Sequence, residues 1–193
     1  MNKLVPEDLY SLESYAKVRD ENRARVSEHK KHRRLMLGAH VLLLFEDRTT
    51  IKYQVQEMLR IERIFEEAGI LEELDAYNPL IPDGSNWKAT MMIQYPDPDE
   101  RRVALERLVG IEGRVWIKID GYDPVFAVAD EDLDRATESK TSAVHFLRFE
   151  LSSAMCDAVK HGESLDAGID HPEYSAEASI SELMRESLIA DLA

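Results

Sequence analysis

The chain has 193 residues, of which 44% are apolar and 32% are charged, and its one cysteine is Cys156. This length is enough to bury a core, and a lone cysteine excludes an intrachain disulfide and any Cys-rich zinc or iron–sulfur site. The formal net charge of −14 at pH 7 repels phosphate backbones, so nucleic-acid binding is not expected. The N-terminus lacks the apolar segment of a secretion signal, and we expect a cytoplasmic protein.

The charge is unevenly distributed, with a net +2 on residues 1–48 and a net −16 on residues 49–193. The first predicted element is a long helix from Ser11 to about Arg33, whose apolar stripe is confined to its first half. It ends in HKKHRR (His29–Arg34), a pattern typical of a solvated helix end that could also dock an acidic partner. We interpret residues 1–34 as an N-terminal helical segment that projects from the domain or packs in a homodimer.

A continuous apolar run, Leu35–Phe45, follows the first helix. Its eleven residues are too few to cross a bilayer, so no membrane association is expected. Apolar side chains on both faces predict a central strand that extends to Glu46. Thr50–Ala68 has the broad apolar face of a helix, with Gly69 at its expected C-terminal end. A short helix through Tyr77 and a loop rich in Asn, Pro, Asp and Gly come next.

The second half of the chain mixes short strands and helices. Trp87–Tyr95 predicts a strand, and Asp97, Pro98 and Glu100 have the capping-box spacing of a helix that ends at Gly110. Further predicted elements are a hairpin of Arg114–Asp120 and Val125–Ala129, a strand at Ala143–Leu151, helices at Ser152–Lys160 and Ser181–Leu192, and an irregular stretch between these helices. The order of these predicted helices and strands lacks regular βαβ alternation. It predicts a single α+β domain over residues 1–193, with a mixed, mostly antiparallel sheet packed with helices.

The sequence contains no GxGxxG, GxxxxGK[ST], HExxH, GxSxG or CxxC motif, so its candidates for chemistry are isolated residues. His40 and His145 lie on apolar faces of predicted strands, and Glu62 interrupts the apolar face of the predicted helix Thr50–Ala68. Buried imidazoles need hydrogen-bond partners, so we interpret both as core histidines that bind carbonyls or Glu62. The alternative is a small metalloenzyme in which these three residues bind Fe(II) or Zn(II). Without that site no cofactor is expected.

A second set of candidates is polar and suited to partner binding. Its members lie at predicted element ends, where binding residues concentrate, or form a charged pair on the face of Ala143–Leu151 opposite His145. A charged pair of this kind usually makes only a cross-strand salt bridge, which is the alternative. The candidates are Arg48, Asn78, Asp83, Asn86, Lys88, Arg148 and Glu150. The acidic segment Ala129–Lys140 lacks EF-hand spacing and is interpreted as a solvated loop.

Two segments carry a family resemblance. AYNPLIPDGSNWKATMMIQYPD (Ala76–Asp97) and ADEDLDRATESKTSAVHFLRFEL (Ala129–Leu151) resemble the uncharacterised bacterial domain-of-unknown-function family number 3501. The similarity extends from MLRIERIFEEAGI, starting at Met58, to GIDHPEY, ending at Tyr174. Members of this family are often encoded beside rubrerythrin-like proteins and iron–sulfur oxidoreductases, and the family has no assigned activity or active site. The resemblance implies a non-catalytic accessory protein of a redox or peroxide-response system, with such a protein as its partner.

Overall fold

The computed structural model describes residues 3–129 and 140–193, which form six α-helices and two antiparallel sheets of nine strands in total. The predicted α+β fold class is confirmed. The helices are α1 (Leu12–Lys31), α2 (Arg48–Glu62), α3 (Glu67–Tyr77), α4 (Pro98–Arg107), α5 (Ser153–His161) and α6 (Glu182–Ile189). The strands are β1 (Arg34–Leu37), β2 (Val41–Glu46), β3 (Asn86–Ile93), β4 (Val115–Ile119), β5 (Val125–Phe126), β6 (Val128–Ala129), β7 (Val144–Glu150), β8 (Leu165–His171) and β9 (Tyr174–Ser179). The interior of the predicted acidic loop, residues 130–139, lies outside the described residues.

The strands form sheet A, in the order β1-β2-β3-β7-β6, and sheet B, in the order β5-β4-β8-β9. The chain crosses from sheet B to sheet A at Ala127, because β5 pairs with β4 whereas β6 pairs with β7. The predicted hairpin of Arg114–Asp120 and Val125–Ala129 is therefore confirmed only over β4 and β5. The inner faces of both sheets share one core with α4, α5 and α6. In the described part of the chain, no helix is long and apolar enough to cross a membrane.

A second apolar cluster joins α2 and α3 to the residues that precede α1. We call α1, α2, α3 and these N-terminal residues the helical lobe. α1 begins after Ser11, whose hydroxyl accepts a hydrogen bond from the backbone N–H of Ser14. Both halves of α1 pack against the rest of the lobe. Tyr15 is fully buried and donates a hydrogen bond to Glu57 at 2.7 Å, while Val26 in the second half is 2% exposed. Arg19 binds the same carboxylate and lowers the pKa of Glu57 to about 2.

The predicted strand Leu35–Glu46 is wrong, because these residues form the hairpin of β1 and β2. The chain turns at Gly38, whose φ of +66° is in the left-handed region that favours glycine. His40 therefore lies in the turn and not on a strand. The Tyr174 hydroxyl fixes this turn to sheet B, since it donates to the Leu37 carbonyl at 2.6 Å and accepts from the His40 backbone N–H at 3.1 Å.

The predicted helix Thr50–Ala68 is wrong at both ends. α2 begins two residues earlier at Arg48 and ends at Glu62, because Arg63 adopts the left-handed conformation with a φ of 56°. Gly69, predicted to end this helix, lies inside α3. The apolar periodicity continues through the break, so the sequence pattern does not reveal it.

Arg33 is a buried cation, although the sequence placed it in a solvated basic stretch. Its side chain is 1% exposed. The guanidinium donates to the Phe45 carbonyl at 2.9 Å and to the Ser187 carbonyl at 2.9 Å, and it forms an ion pair with the buried carboxylate of Asp191. Asp47 lies 3.7 Å away on its other side. Arg33 therefore connects the end of α1 to β2 and α6.

The irregular stretch predicted between α5 and α6 is the hairpin of β8 and β9, which completes sheet B. Gly168 weakens the strand pattern of β8, because a glycine inside a strand has no side chain to pack. The fold requires glycine here. A Cβ at this position would overlap the Trp116 ring and lie 2.8 Å from the Ala176 carbonyl oxygen.

Replacing Gly168 with alanine is expected to lower the free energy of unfolding by about 1–3 kcal/mol, the usual cost of overpacking. The new methyl group would overlap the Trp116 ring and the Ala176 carbonyl, which belongs to the β9 backbone. Urea denaturation measures the change. Gly113→Ala is the matched control, because nothing lies within 4 Å of a Cβ built there. Equal stability of the two variants would contradict the prediction.

Candidate functional site

The three predicted metal ligands lie on different elements of the structure. His40 is in the β1–β2 turn, His145 is on β7 and Glu62 is the exposed last residue of α2. The described residues contain no group of three or more His, Cys, Asp or Glu side chains that could hold a metal ion. The iron or zinc site therefore stays a prediction from the sequence, and the described geometry gives it no support.

His40 belongs to an aromatic stack. Its ring lies parallel to that of Tyr95, with centroids 3.9 Å apart and an angle of 10° between the planes. Its Nδ1 is 3.0 Å from the Gln94 carbonyl oxygen. The imidazole thus binds a carbonyl, but His40 is half-buried in a turn and is not the core histidine of the first interpretation.

His145 is 6% exposed and belongs to a compact polar network on the inner face of β7. Its Nε2 lies 2.9 Å from the Thr141 hydroxyl and 3.0 Å from the Ser142 carbonyl oxygen. The Thr141 hydroxyl also donates to Glu112 at 3.2 Å, and the Glu112 carboxylate is 3.8 Å from the imidazole. Glu62, the carboxylate predicted to accompany His145, lies at the end of α2 and does not belong to the network described here.

Four of the predicted partner-binding residues meet at one end of sheet A. The register of β3 and β7 places Asn86 opposite Glu150. The Asn86 amide donates to Asp83 at 2.9 Å and to Glu150 at 3.4 Å, and Arg148 forms an ion pair with Glu150 at 3.0 Å. These groups bind one another, but the Arg148–Glu150 ion pair lies within β7, and the contact across strands is the Asn86–Glu150 hydrogen bond. Lys88, opposite Arg148 in the same register, extends the polar face.

The other two predicted residues, Asn78 and Arg48, fix the N-terminal segment to the helical lobe. The buried Asn78 side chain accepts from the Leu4 backbone N–H at 2.8 Å and donates to the Leu4 carbonyl at 3.0 Å. Arg48 forms an ion pair with Asp8 at 2.6 Å. Together these contacts position the residues between Leu4 and α1 against α2 and α3.

The fixed N-terminal segment is one wall of an apolar groove of about 450 Å³, which we call the lobe groove. Its other wall comes from the end of α2, the residues that follow it and α3. Phe65 is 70% exposed and Tyr10 is 44% exposed at this groove. The lining residues are Pro6, Leu9, Tyr10, Ser11, Leu12, Glu13, Leu59, Ile64, Phe65 and Ile70.

The segment that contains Phe65 is acidic. Residues 62–75 contain six carboxylates and one cation, Arg63, and Glu13 lies in the groove lining itself. Exposed aromatic surface with a charged border is typical of protein-docking sites. Sequence reasoning missed this groove because it placed Phe65 on the buried face of a longer helix, and the break at Arg63 leaves the ring in solvent.

Comparison with known proteins gives the same family that the sequence resembles. The model of a family described as proteins of unknown function (DUF3501) matches residues 3–192. The structure is also similar to the crystal structure of a novel protein of unknown function from Burkholderia pseudomallei. That chain is 55% identical in sequence, the match covers 100% of both chains, and the TM-score is 0.95. No curated protein matches the chain.

Proposed function

The chain belongs to the DUF3501 family of proteins of unknown function, and we propose that it is a non-catalytic protein that binds a protein partner through the lobe groove. The observation that carries this proposal is the 70% exposure of Phe65 at the groove. Burying an exposed aromatic ring in an interface is favourable, and such rings at the centre of a docking site often dominate its binding free energy.

The charges around the groove define the chemistry of the partner. The six carboxylates in residues 62–75 favour a partner segment whose apolar side chains are flanked by Lys or Arg. Opposite charges on two surfaces accelerate their association, and salt weakens this effect. The partner therefore combines an apolar anchor for the groove with a basic border.

The family resemblance supports a partner from a bacterial redox or peroxide-response system, either rubrerythrin-like or an iron–sulfur oxidoreductase. In this role the protein is a cytoplasmic accessory, and the partner supplies the redox centre. We place the docking site at the lobe groove and not at the predicted partner-binding residues of sheet A. Those residues, Asp83, Asn86, Arg148 and Glu150, already bind one another.

Replacing Phe65 with glutamate is expected to weaken partner binding by roughly tenfold or more, the effect of removing an interface hot spot. The melting temperature should stay near that of the wild type, because the ring is 70% exposed. Titration calorimetry measures the affinity at low and high salt for two purified proteins, the rubrerythrin-like protein and the iron–sulfur oxidoreductase encoded beside the gene.

Leu183→Glu is the matched control, since Leu183 is 62% exposed on α6, outside the helical lobe. It introduces the same charge and should leave the affinity unchanged. Equal weakening by both variants would show that the lobe groove is not the docking site. Absence of a complex with either neighbour at micromolar concentration would contradict the proposed partner.

A further inference from the structure

A second and smaller cavity of the helical lobe is lined by cations. It has a volume of about 250 Å³ and lies between α1 and the first turns of α2. Its described lining residues provide three cations, two hydroxyls and one amide. The lining residues are Asn22, Arg25, Arg48, Thr49, Lys52 and Tyr53.

This concentration of positive charge contrasts with the net charge of −14 on the chain. Asp8 pairs with Arg48 at 2.6 Å, so the three lining cations and this carboxylate together carry a charge of +2. Arg25 donates a hydrogen bond to the Asn22 amide oxygen at 2.8 Å, and the Lys52 ammonium lies 5.4 Å from the centroid of the Tyr10 ring. Those two partners are uncharged, and the Asp8 carboxylate interacts with both Arg48 and Lys52.

The donors in this cavity match a tetrahedral oxyanion. Guanidinium groups bind phosphate oxygens through paired N–H donors, and an ammonium group binds them as a point charge. Arg48 and Thr49 are the first two residues of α2, and the Asp47 carboxylate caps this helix end. The attraction of the cavity for an anion therefore rests on the three side-chain cations. The volume of the cavity accommodates a phosphoryl group with a small organic substituent and is below the usual range for larger ligands.

We propose that this cavity binds a phosphate-class oxyanion, either free phosphate or a small phosphate monoester. Arg25, Arg48 and Lys52 are its cationic contacts, and the hydroxyls of Thr49 and Tyr53 donate hydrogen bonds. This site is separate from the lobe groove and does not depend on the proposed partner.

The test is titration calorimetry of the full chain with inorganic phosphate and with glycerol 3-phosphate, at low ionic strength and with chloride at matched ionic strength as a blank. The double variant Arg25→Gln, Lys52→Gln should bind roughly tenfold more weakly or worse, because it loses two charge-assisted contacts. Tighter binding of glycerol 3-phosphate would identify a monoester ligand, and equal or tighter binding of inorganic phosphate would identify the free ion. Circular dichroism shows whether the double variant keeps its fold.

The matched control is the double variant Lys17→Gln, Arg23→Gln. Both replaced residues are exposed on α1 outside the cavity lining, and the change in net charge is the same. This control should retain the wild-type affinity within about twofold, since only long-range charge is lost. Equal weakening of the two double variants, or no binding of either phosphate probe to the wild type at about 10 mM, would overturn the proposal.

Discussion

Replacing Arg33 with methionine is expected to lower the free energy of unfolding by about 3–5 kcal/mol, the usual cost of removing one partner of a buried ion pair. The loss leaves Asp191, which is 2% exposed, without its guanidinium. It also removes the donors to the Phe45 and Ser187 carbonyls. Urea denaturation at pH 7, followed by circular dichroism, measures the change.

Two further variants show whether the buried charge is the cause. Arg102→Met removes an exposed ion pair with Glu106 and should cost less than about 1 kcal/mol. The double variant Arg33→Met, Asp191→Leu removes both buried charges and should be more stable than Arg33→Met alone. An Arg33→Met variant within about 1 kcal/mol of the wild type would show that the pair contributes little.

The Arg33→Met variant should also depend on pH. Burial raises the pKa of Asp191 to about 6, although the Arg33 guanidinium opposes this rise. Without Arg33 the pKa of this carboxyl in the folded state rises further above its unfolded value near 3.9. A group of this kind stabilises the fold at low pH and loses that contribution as the pH rises through the folded pKa. The variant should therefore be closer to the wild type at pH 5 than at pH 8, and the reverse order would contradict this explanation.

Replacing Trp87 with alanine is expected to lower the free energy of unfolding by about 3–5 kcal/mol, as for other large core truncations. Trp87 is fully buried, and its indole N–H donates to the Leu188 carbonyl at 3.0 Å. The variant therefore creates a cavity between sheet A and α6 and removes the indole hydrogen bond to the Leu188 carbonyl, which still accepts from the Asp191 backbone N–H. Thermal unfolding followed by circular dichroism is the measurement, because the substitution removes one of two tryptophans.

Trp87→Phe separates these two contributions. Phenylalanine retains most of the apolar volume, so the remaining loss of about 0.5–1.5 kcal/mol reports the lost hydrogen bond from the indole to the Leu188 carbonyl. Trp116→Phe is the matched control, since Trp116 is only half-buried on sheet B. If Trp87→Ala and Trp116→Phe were equally stable, burial of the Trp87 indole between β3 and α6 would not contribute the expected stability.

Local signals in the sequence predict much of the fold. Asp97 accepts hydrogen bonds from the backbone N–H groups of Asp99 and Glu100, as its spacing before Pro98 predicts. The α+β class and the long first helix follow from periodicity, which needs only neighbouring residues. The turn that brings Asp83 to Asn86 is equally local, because these residues are three positions apart.

The remaining features depend on distant residues or on a single backbone angle. The partner of Arg33 is 158 positions away, so a local window reads the residue as part of a solvated cluster. Glu150 reaches Asn86 only through the register of β3 and β7. The lobe groove depends on the left-handed angle at Arg63, which no glycine or proline signals. The cation-lined cavity requires the antiparallel packing of α1 on α2, which brings Arg25 and Lys52 together.

The ion pair between Arg33 and Asp191 also determines when the protein can finish folding during its synthesis. The ribosome adds Arg33 158 residues before Asp191. Until α6 emerges from the exit tunnel, a collapsed N-terminal half would bury the Arg33 guanidinium without the Asp191 carboxylate, which is unfavourable. Contacts with such a large sequence separation also form slowly. Stable burial of Arg33 is therefore a late event, and the chain stays open to chaperones until α6 has emerged.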